Sequence, residues 1–166
     1  MSWRLPRGGK LWEENKGAKN RSAFRKLVKN GQVHGCLAFA ENEPVGWCCV
    51  GPRGDFPRLE RTKALHTAWD ERTWSVTCFY IPAKWRRRGV ASALLGGVIE
   101  LARQRGAKAL EAYPVRPYGT SPDEIPAAFA WTGVPRLFDK LRFRNVTPPG
   151  NSRDIYVRKF RSCGEA

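Results

Sequence analysis

Apolar residues in this chain come in short runs, punctuated by glycine, proline and charge. Between residues 20 and 30, Phe24, Leu27 and Val28 recur at the i, i+3, i+4 spacing of one helical face. Asn20 can cap that helix, and Gly31 can supply a left-handed residue past its end. Cys36 to Ala40 and Val45 to Val50 flank Glu41-Asn42-Glu43-Pro44, the pattern of a hairpin that Gly51-Pro52 closes. Residues 53–72 are charged and interrupted by Pro57, which predicts a loop with one short helical piece. A strand follows from about Trp74 to Ile81. Val90, Leu94, Val98 and Ala102 then fall on one stripe, widened by Ala91 and Leu95, so a helix is predicted up to Gly106. Residues 109–113 read as a strand. Pro114, Pro117, Pro122 and Pro126 impose a long loop. A short helix over Pro135 to Leu141 and a hairpin of 143–146 with 154–158, turning at Pro148-Pro149-Gly150, complete the chain.

Successive strands imply antiparallel pairing, and the strand–helix–strand unit in the middle implies one parallel step. The fold class expected is α/β (α+β): a mixed, mostly antiparallel sheet of about six strands with helices on both faces. The 166 residues suit one domain. An irregular segment is expected over 1–19 and a single domain over 20–166. No apolar run approaches the roughly 18 residues of a membrane span, and the first residues lack the apolar region of a secretory signal. A soluble, cytoplasmic protein is therefore expected, with no membrane partner. The five cysteines form no C-x-x-C pair, and most sit inside apolar runs. Neither a metal site nor a disulfide framework is expected, and a reducing compartment fits.

Charge changes the picture. Thirty lysines and arginines against fifteen acids leave a net charge of +15. Such an excess steers anionic ligands. It is most pointed at Arg86-Arg87-Arg88-Gly89, between the strand ending near Ile81 and the helix after Val90. A glycine turn that opens a helix aims unpaired N–H groups and the positive end of the helix dipole at one place, which is a phosphate site. Gly89 allows close backbone approach, and Ala91 is nearly as small. The same triplet could instead be a solvated charge run.

The turn Arg86-Arg87-Arg88-Gly89-Val90-Ala91 resembles the Q/R-x-x-G-x-G/A acyl-CoA signature of the GCN5-related N-acetyltransferase superfamily. Leu137 to Phe143 is similar to that superfamily's second signature, commonly L-Y-x-K-x-G-F. The resemblance runs from about residue 20 to the end. It implies acetyl-CoA as co-substrate, with Arg86, Arg87, Arg88, Gly89, Val90, Ala91 and Ser92 around the pyrophosphate. Phe79, Tyr80 and Ile81 would hold the pantetheine arm, and Phe138 would stand beside the thioester. Two central strands would splay apart to make the slot. The reaction implied is direct acetyl transfer to a primary amine of a small-molecule or peptide acceptor, through a tetrahedral intermediate.

Leu110-Glu111-Ala112 is similar to a strand in which several relatives carry a glutamate base, so Glu111 is a candidate base or else a surface glutamate. Tyr113 shares its face by strand alternation and is a candidate acid, substrate contact or core residue. The chain departs from the family pattern at Phe138, where a tyrosine usually protonates the leaving thiolate. Tyr80, Tyr113, Tyr118 or water would have to substitute. Arg142 replaces a usual glycine. The region before residue 20 is short for the family's first strand and helix, so a bare sheet edge would invite a second copy, and a homodimer is an open expectation. Cys78 reads as a buried strand residue rather than a nucleophile, and His34 and His66 as turn or surface residues. Two other readings compete: a basic nucleic-acid-binding module, which is not favoured, and an inactive sensor of coenzyme A.

Overall fold

A computed structural model describes residues 13, 14, 16–116 and 130–160. Most of the 1–19 segment, the proline loop over 117–129, Tyr118 and Cys163 lie outside the described residues. Helix α1 is Ala18–Lys29. Its N-cap is Gly17, with no side-chain cap, rather than Asn20. Its end is the one expected: Gly31 sits at φ 68°, and the Gln32 and Gly31 N–H groups donate to Leu27 and Val28 carbonyls at 2.9 and 3.1 Å.

Strands β1 (His34–Ala40) and β2 (Glu43–Pro52) form the first hairpin. Helix α2 (Pro57–Arg61) lies in the charged excursion. Strand β3 (Thr73–Tyr80), helix α3 (Val90–Gln104) and strand β4 (Ala109–Ala112) make the parallel unit. Helix α4 (Pro135–Lys140) and strands β5 (Arg144–Asn145) and β6 (Tyr156–Lys159) close the chain. The six strands lie in the order β1-β2-β3-β4-β6-β5. Only β3 and β4 pair in parallel, so the sheet is mixed and mostly antiparallel, as expected. Among the described residues β1 is an outer edge of the sheet.

Two apolar layers flank the sheet. On one face Val50, Trp74, Val76, Leu110 and Tyr156 pack against Leu94, Leu95, Val98 and Ala102 of α3 and Leu137 and Phe138 of α4. On the other, Cys49, Tyr113 and Ile155 pack against Phe56, Leu59 and Leu65. Those last three come from the excursion expected to be mostly loop. It folds as α2 between two 3-10 turns, Arg53–Asp55 and Lys63–Leu65. Phe56, Leu59 and Leu65 are all core, in elements too short to show a helical period.

Beneath the excursion lies a buried polar network. Arg53 is fully buried, yet Nη2 donates to the Leu65 carbonyl at 2.9 Å and lies 3.2 Å from Glu60. Its Nε stands 3.3 Å from Oε2 of Glu111. The same carboxylate accepts from Thr67 at 2.9 Å and from the Tyr113 hydroxyl at 2.8 Å, and Ser75 meets that hydroxyl at 2.8 Å. Removing one partner of such a pair strands the other charge, at a cost of about 3–5 kcal/mol. Arg53→Met is therefore expected to lose about that much stability in urea unfolding. Arg53→Met/Glu111→Leu should recover part of the loss. A single variant within 1 kcal/mol of the parent would mean the network carries no such weight.

Candidate active site

The site grows from the end of β3. Pairing between β3 and β4 stops at Val76 with Ala112, while β3 runs on to Tyr80 along β2. At the same point β3 carries a bulge: Cys49 faces Cys78 and Val50 faces Val76, which leaves Thr77 unmatched. An extra residue reverses the alternation beyond it. Phe79 therefore joins the α3 side of the core with Val76, and Cys78 joins the opposite cluster. Among the described residues no strand pairs with the β4 side of β3 from Thr77 onward, and a cleft opens there.

The cleft has a volume of about 670 Å³. Phe79, Tyr80 and Ile81 form one wall, and the turn residues Arg86, Arg87, Gly89, Val90, Ala91 and Ser92 form its head. Nine of the residues singled out from sequence thus share one cavity. Gly89 is the N-cap of α3, at φ 80° and ψ −6°, with no side-chain cap. Arg87 also has positive φ, 58°. The first amide of α3 to find a backbone acceptor is Ala93, which donates to the Gly89 carbonyl at 3.0 Å. The N–H groups of Val90, Ala91 and Ser92 precede it and point out of the helix end. A Cβ placed on Gly89 would touch nothing within 4 Å, so the space above the turn is open. Arg86 is tied back by an Nε–H donated to the Ile81 carbonyl at 3.0 Å.

Two expected cleft residues are elsewhere. Arg88 stacks over the Trp85 ring, 5.4 Å from its centroid, and does not line the cavity. Phe138 is fully buried, with ring centroids of Phe143, Tyr156 and Phe79 at 5.3, 6.1 and 6.3 Å. Helical geometry explains it. On α4, Arg136, Leu137 and Lys140 face the cleft, and Phe138 turns inward against Gly133.

Glu111 and Tyr113 also lie away from the cleft. Glu111 is beside Ser75 in the sheet register, five residues before Tyr80, or about 16 Å at strand rise. It lines a different cavity, of about 1060 Å³, with Thr67, Lys108 and Lys159. Both its oxygens are taken by the Arg53 network. Burial, and then the neighbouring Glu111 charge, push the Tyr113 hydroxyl well above the usual tyrosine range. Neither group reaches the cleft at the end of β3, and the second-signature phenylalanine is a packing residue.

Burial raises the Cys78 thiol to about 11, so it stays protonated at neutral pH. His34 lies against Trp74 at 5.1 Å between centroids, and His66 sits 3.5 Å from Glu60, so neither pairs with that thiol. Sequence reading missed the far wall: Ala130, Trp131, Gly133, Val134, Pro135, Arg136 and Lys140. Two signals were available: the i, i+4 spacing of Arg136 and Lys140, and the second signature, whose lysine is Lys140. Trp85 lines the cleft as well.

Residues 3–120 match the model of the Acetyltransferase (GNAT) family. Among curated proteins none matches significantly. Solved structures share the fold at low identity. An N-acetyltransferase from Staphylococcus aureus Mu50 is 17% identical, with a TM-score of 0.53 over 86% of this chain and 76% of its own. The PaiA N-acetyltransferase of Thermoplasma acidophilum, solved with coenzyme A, is 13% identical, with a TM-score of 0.54 over 89% and 74%. A putative acetyltransferase from Salmonella typhimurium, solved with acetyl-CoA, is 14% identical, with a TM-score of 0.54 over 90% and 77%. With most of its length matched by the family model and its sheet and helices arranged as in these structures, the chain belongs to the acetyltransferase (GNAT) family, a family of acetyl-CoA-dependent N-acetyltransferases.

Proposed function

We propose that this chain moves an acetyl group from acetyl-CoA to a primary amine of a small-molecule or peptide acceptor, using the 670 Å³ cleft. The observation that carries this reading is the uncapped start of α3 at Gly89, opening into the gap left by β4 beside β3. The donor set suits a diphosphate. Outward backbone N–H groups, a left-handed glycine with clear space above it, and Arg86 and Arg87 on the rim supply converging positive charge. Arg136 and Lys140 extend that charge along the opposite wall. Bound there, the thioester supplies an activated acetyl carbonyl.

The chain's own part is to hold and orient. The unpaired side of β3 from Phe79 to Ile81 can align an extended arm as an added strand would. Backbone N–H groups at Tyr80 or Ile81 are the donors nearest to where negative charge would develop on the carbonyl oxygen. Trp131, Val134 and Leu137 make that end apolar, which strengthens such contacts. With Glu111 and Tyr113 committed elsewhere, amine deprotonation falls to water or to the acceptor itself.

Acetyl-CoA at about 100 times its dissociation constant adds about 2.7 kcal/mol of stability. For a chain of this size that is a rise of about 5–10 °C in Tm by differential scanning fluorimetry. Gly89→Val is expected to remove most of the rise. No protein atom crowds that position, so the loss would come from the strained φ and from blocked ligand approach. No shift in the parent protein would sink the reading. Glu111→Gln should keep kcat/KM within about threefold in a thiol-release assay. A general base contributes about 100-fold or more, so a drop of that size in protein still folded at the assay temperature, its Tm lowered only by loss of the Arg53 pair, would restore Glu111 as the base.

A further inference from the structure

The sheet presents its two faces differently at the mouth of the cleft. On one face the start of α3 presses on the backbone: a Cβ on Gly46 would meet Val90 Cγ1 at 2.8 Å and Ile81 Cγ1 at 3.4 Å. The phosphate cradle belongs to that face. Next to Gly46, Trp47 points to the opposite face. In the strand register Leu37 faces Trp47, and Trp47 faces Tyr80. Directly opposed residues share a face at about 5 Å spacing. Leu37, Trp47 and Tyr80 therefore share one face on successive strands, spanning about 10 Å, with Tyr80 in the cleft; the Trp47 ring leans over Gly35, where a Cβ would meet its Cζ3 at 2.7 Å. The ends of this row are open: Leu37 is 57% exposed and Tyr80 63%. Phe24 of α1 closes on Trp47 edge to face, 5.9 Å between centroids. An apolar row of that length matches one aromatic or aliphatic side chain, and it adjoins the place where an attacking amine must arrive.

The chemistry of the cleft narrows the amine. Among the described residues that line it there is no Asp, Glu, His or Cys, while Arg86, Arg87, Arg136 and Lys140 all face it. The apolar wall of Trp131, Val134 and Leu137 at the acetyl end disfavours an ammonium by desolvation. With no acid, histidine or cysteine among the described lining residues to take its proton, the amine arrives neutral in good part on its own. At pH 7.5 an α-amine with a pKa of 7.7–8.0 is about one-third neutral, whereas a lysine side chain near 10.4 is about 0.1% neutral. The difference is about 200–300-fold.

We propose that the acceptor is an α-amine borne next to an apolar side chain, as at the N-terminus of a peptide or an amino-acid amide, with that side chain lying along Leu37, Trp47 and Tyr80. This rests on the acetyl-CoA reading above. The neutral nitrogen attacks the thioester carbonyl carbon, forming the C–N bond. The C–S bond then breaks with its electron pair going to sulfur. The proton surplus on nitrogen ends on the thiolate or in water, giving amide and free thiol.

The test is thiol release by the full chain at pH 7.5, with phenylalanine amide, leucine amide, glycine amide and the side-chain amine of Nα-acetyl-lysine amide. The apolar amides are expected to exceed glycine amide about tenfold in kcat/KM and the lysine probe about 100-fold or more. Leu37→Ser should pull the ratio of phenylalanine amide to glycine amide down to within about threefold. The ascending limb of the kcat/KM profile should break at the acceptor's own pKa and move with it when the acceptor is changed. A break that stays fixed would reveal a base on the enzyme and overturn the assignment. Turnover confined to glycine amide or the lysine probe overturns it while leaving acetyl transfer standing. No turnover on the apolar amides overturns it too, and only a missing acetyl-CoA shift in Tm takes down both readings.

Discussion

Central strands of a sheet normally stay paired along both edges, because an unpaired backbone N–H or C=O away from water costs as much as a lost hydrogen bond. Here, among the described residues, β3 has no ladder partner on its β4 side beyond Val76. The Thr77 bulge turns the strand as it loses its neighbour, and the residues after it point to faces opposite to those that simple alternation would assign. Cleft, apolar wall and exposed Tyr80 all follow from that one departure. The freed backbone groups become assets once a ligand lies along them, which is how a gap in a ladder turns into a binding slot.

The arrangement also separates two electrostatic tasks. The head of the cleft is built to attract anions, with helix N–H groups and arginines converging on Gly89. The ion-paired acids lie elsewhere: Glu60 and Glu111 hold Arg53 under the excursion, and Asp70 meets Lys108 at 3.1 Å. Backbone and side-chain hydrogen bonds from Arg72 and Lys108 hold the Asp70 carboxyl below its ordinary range, so it stays charged and paired. Glu111 shows how one residue type at a suggestive position can belong to the scaffold. A glutamate with an arginine, a threonine and a tyrosine on its oxygens braces the second layer of the core.

Phe138 makes the same point for an aromatic. Its ring fills the angle between α4 and the sheet, where Gly133 must lack a side chain, since a Cβ there would stand 2.7 Å from it. A tyrosine hydroxyl at that depth would need a partner inside an apolar cluster. The phenylalanine is therefore consistent with its surroundings whatever the family's habit at the position.

What could be read along the chain was whatever local chemistry determines. The periods of α1 and α3, the left-handed glycines that end or open helices at Gly31, Gly89 and Gly106, the hairpins and the phosphate-seeking turn are all set by neighbours a few residues apart. Nine of the cleft residues followed, because a strand, a turn and a helix start are contiguous in sequence. Long-range packing decided the rest. Register placed Glu111 beside Ser75 instead of Tyr80, the rotation of α4 sent Phe138 inward and Arg136 and Lys140 outward, and the pairing of β1, β2 and β3 lined up Leu37, Trp47 and Tyr80. Side-chain chemistry is visible in a string of letters. The distance between two such groups is not, because it depends on how far each strand has slid past its neighbour and where a single extra residue has reset the count.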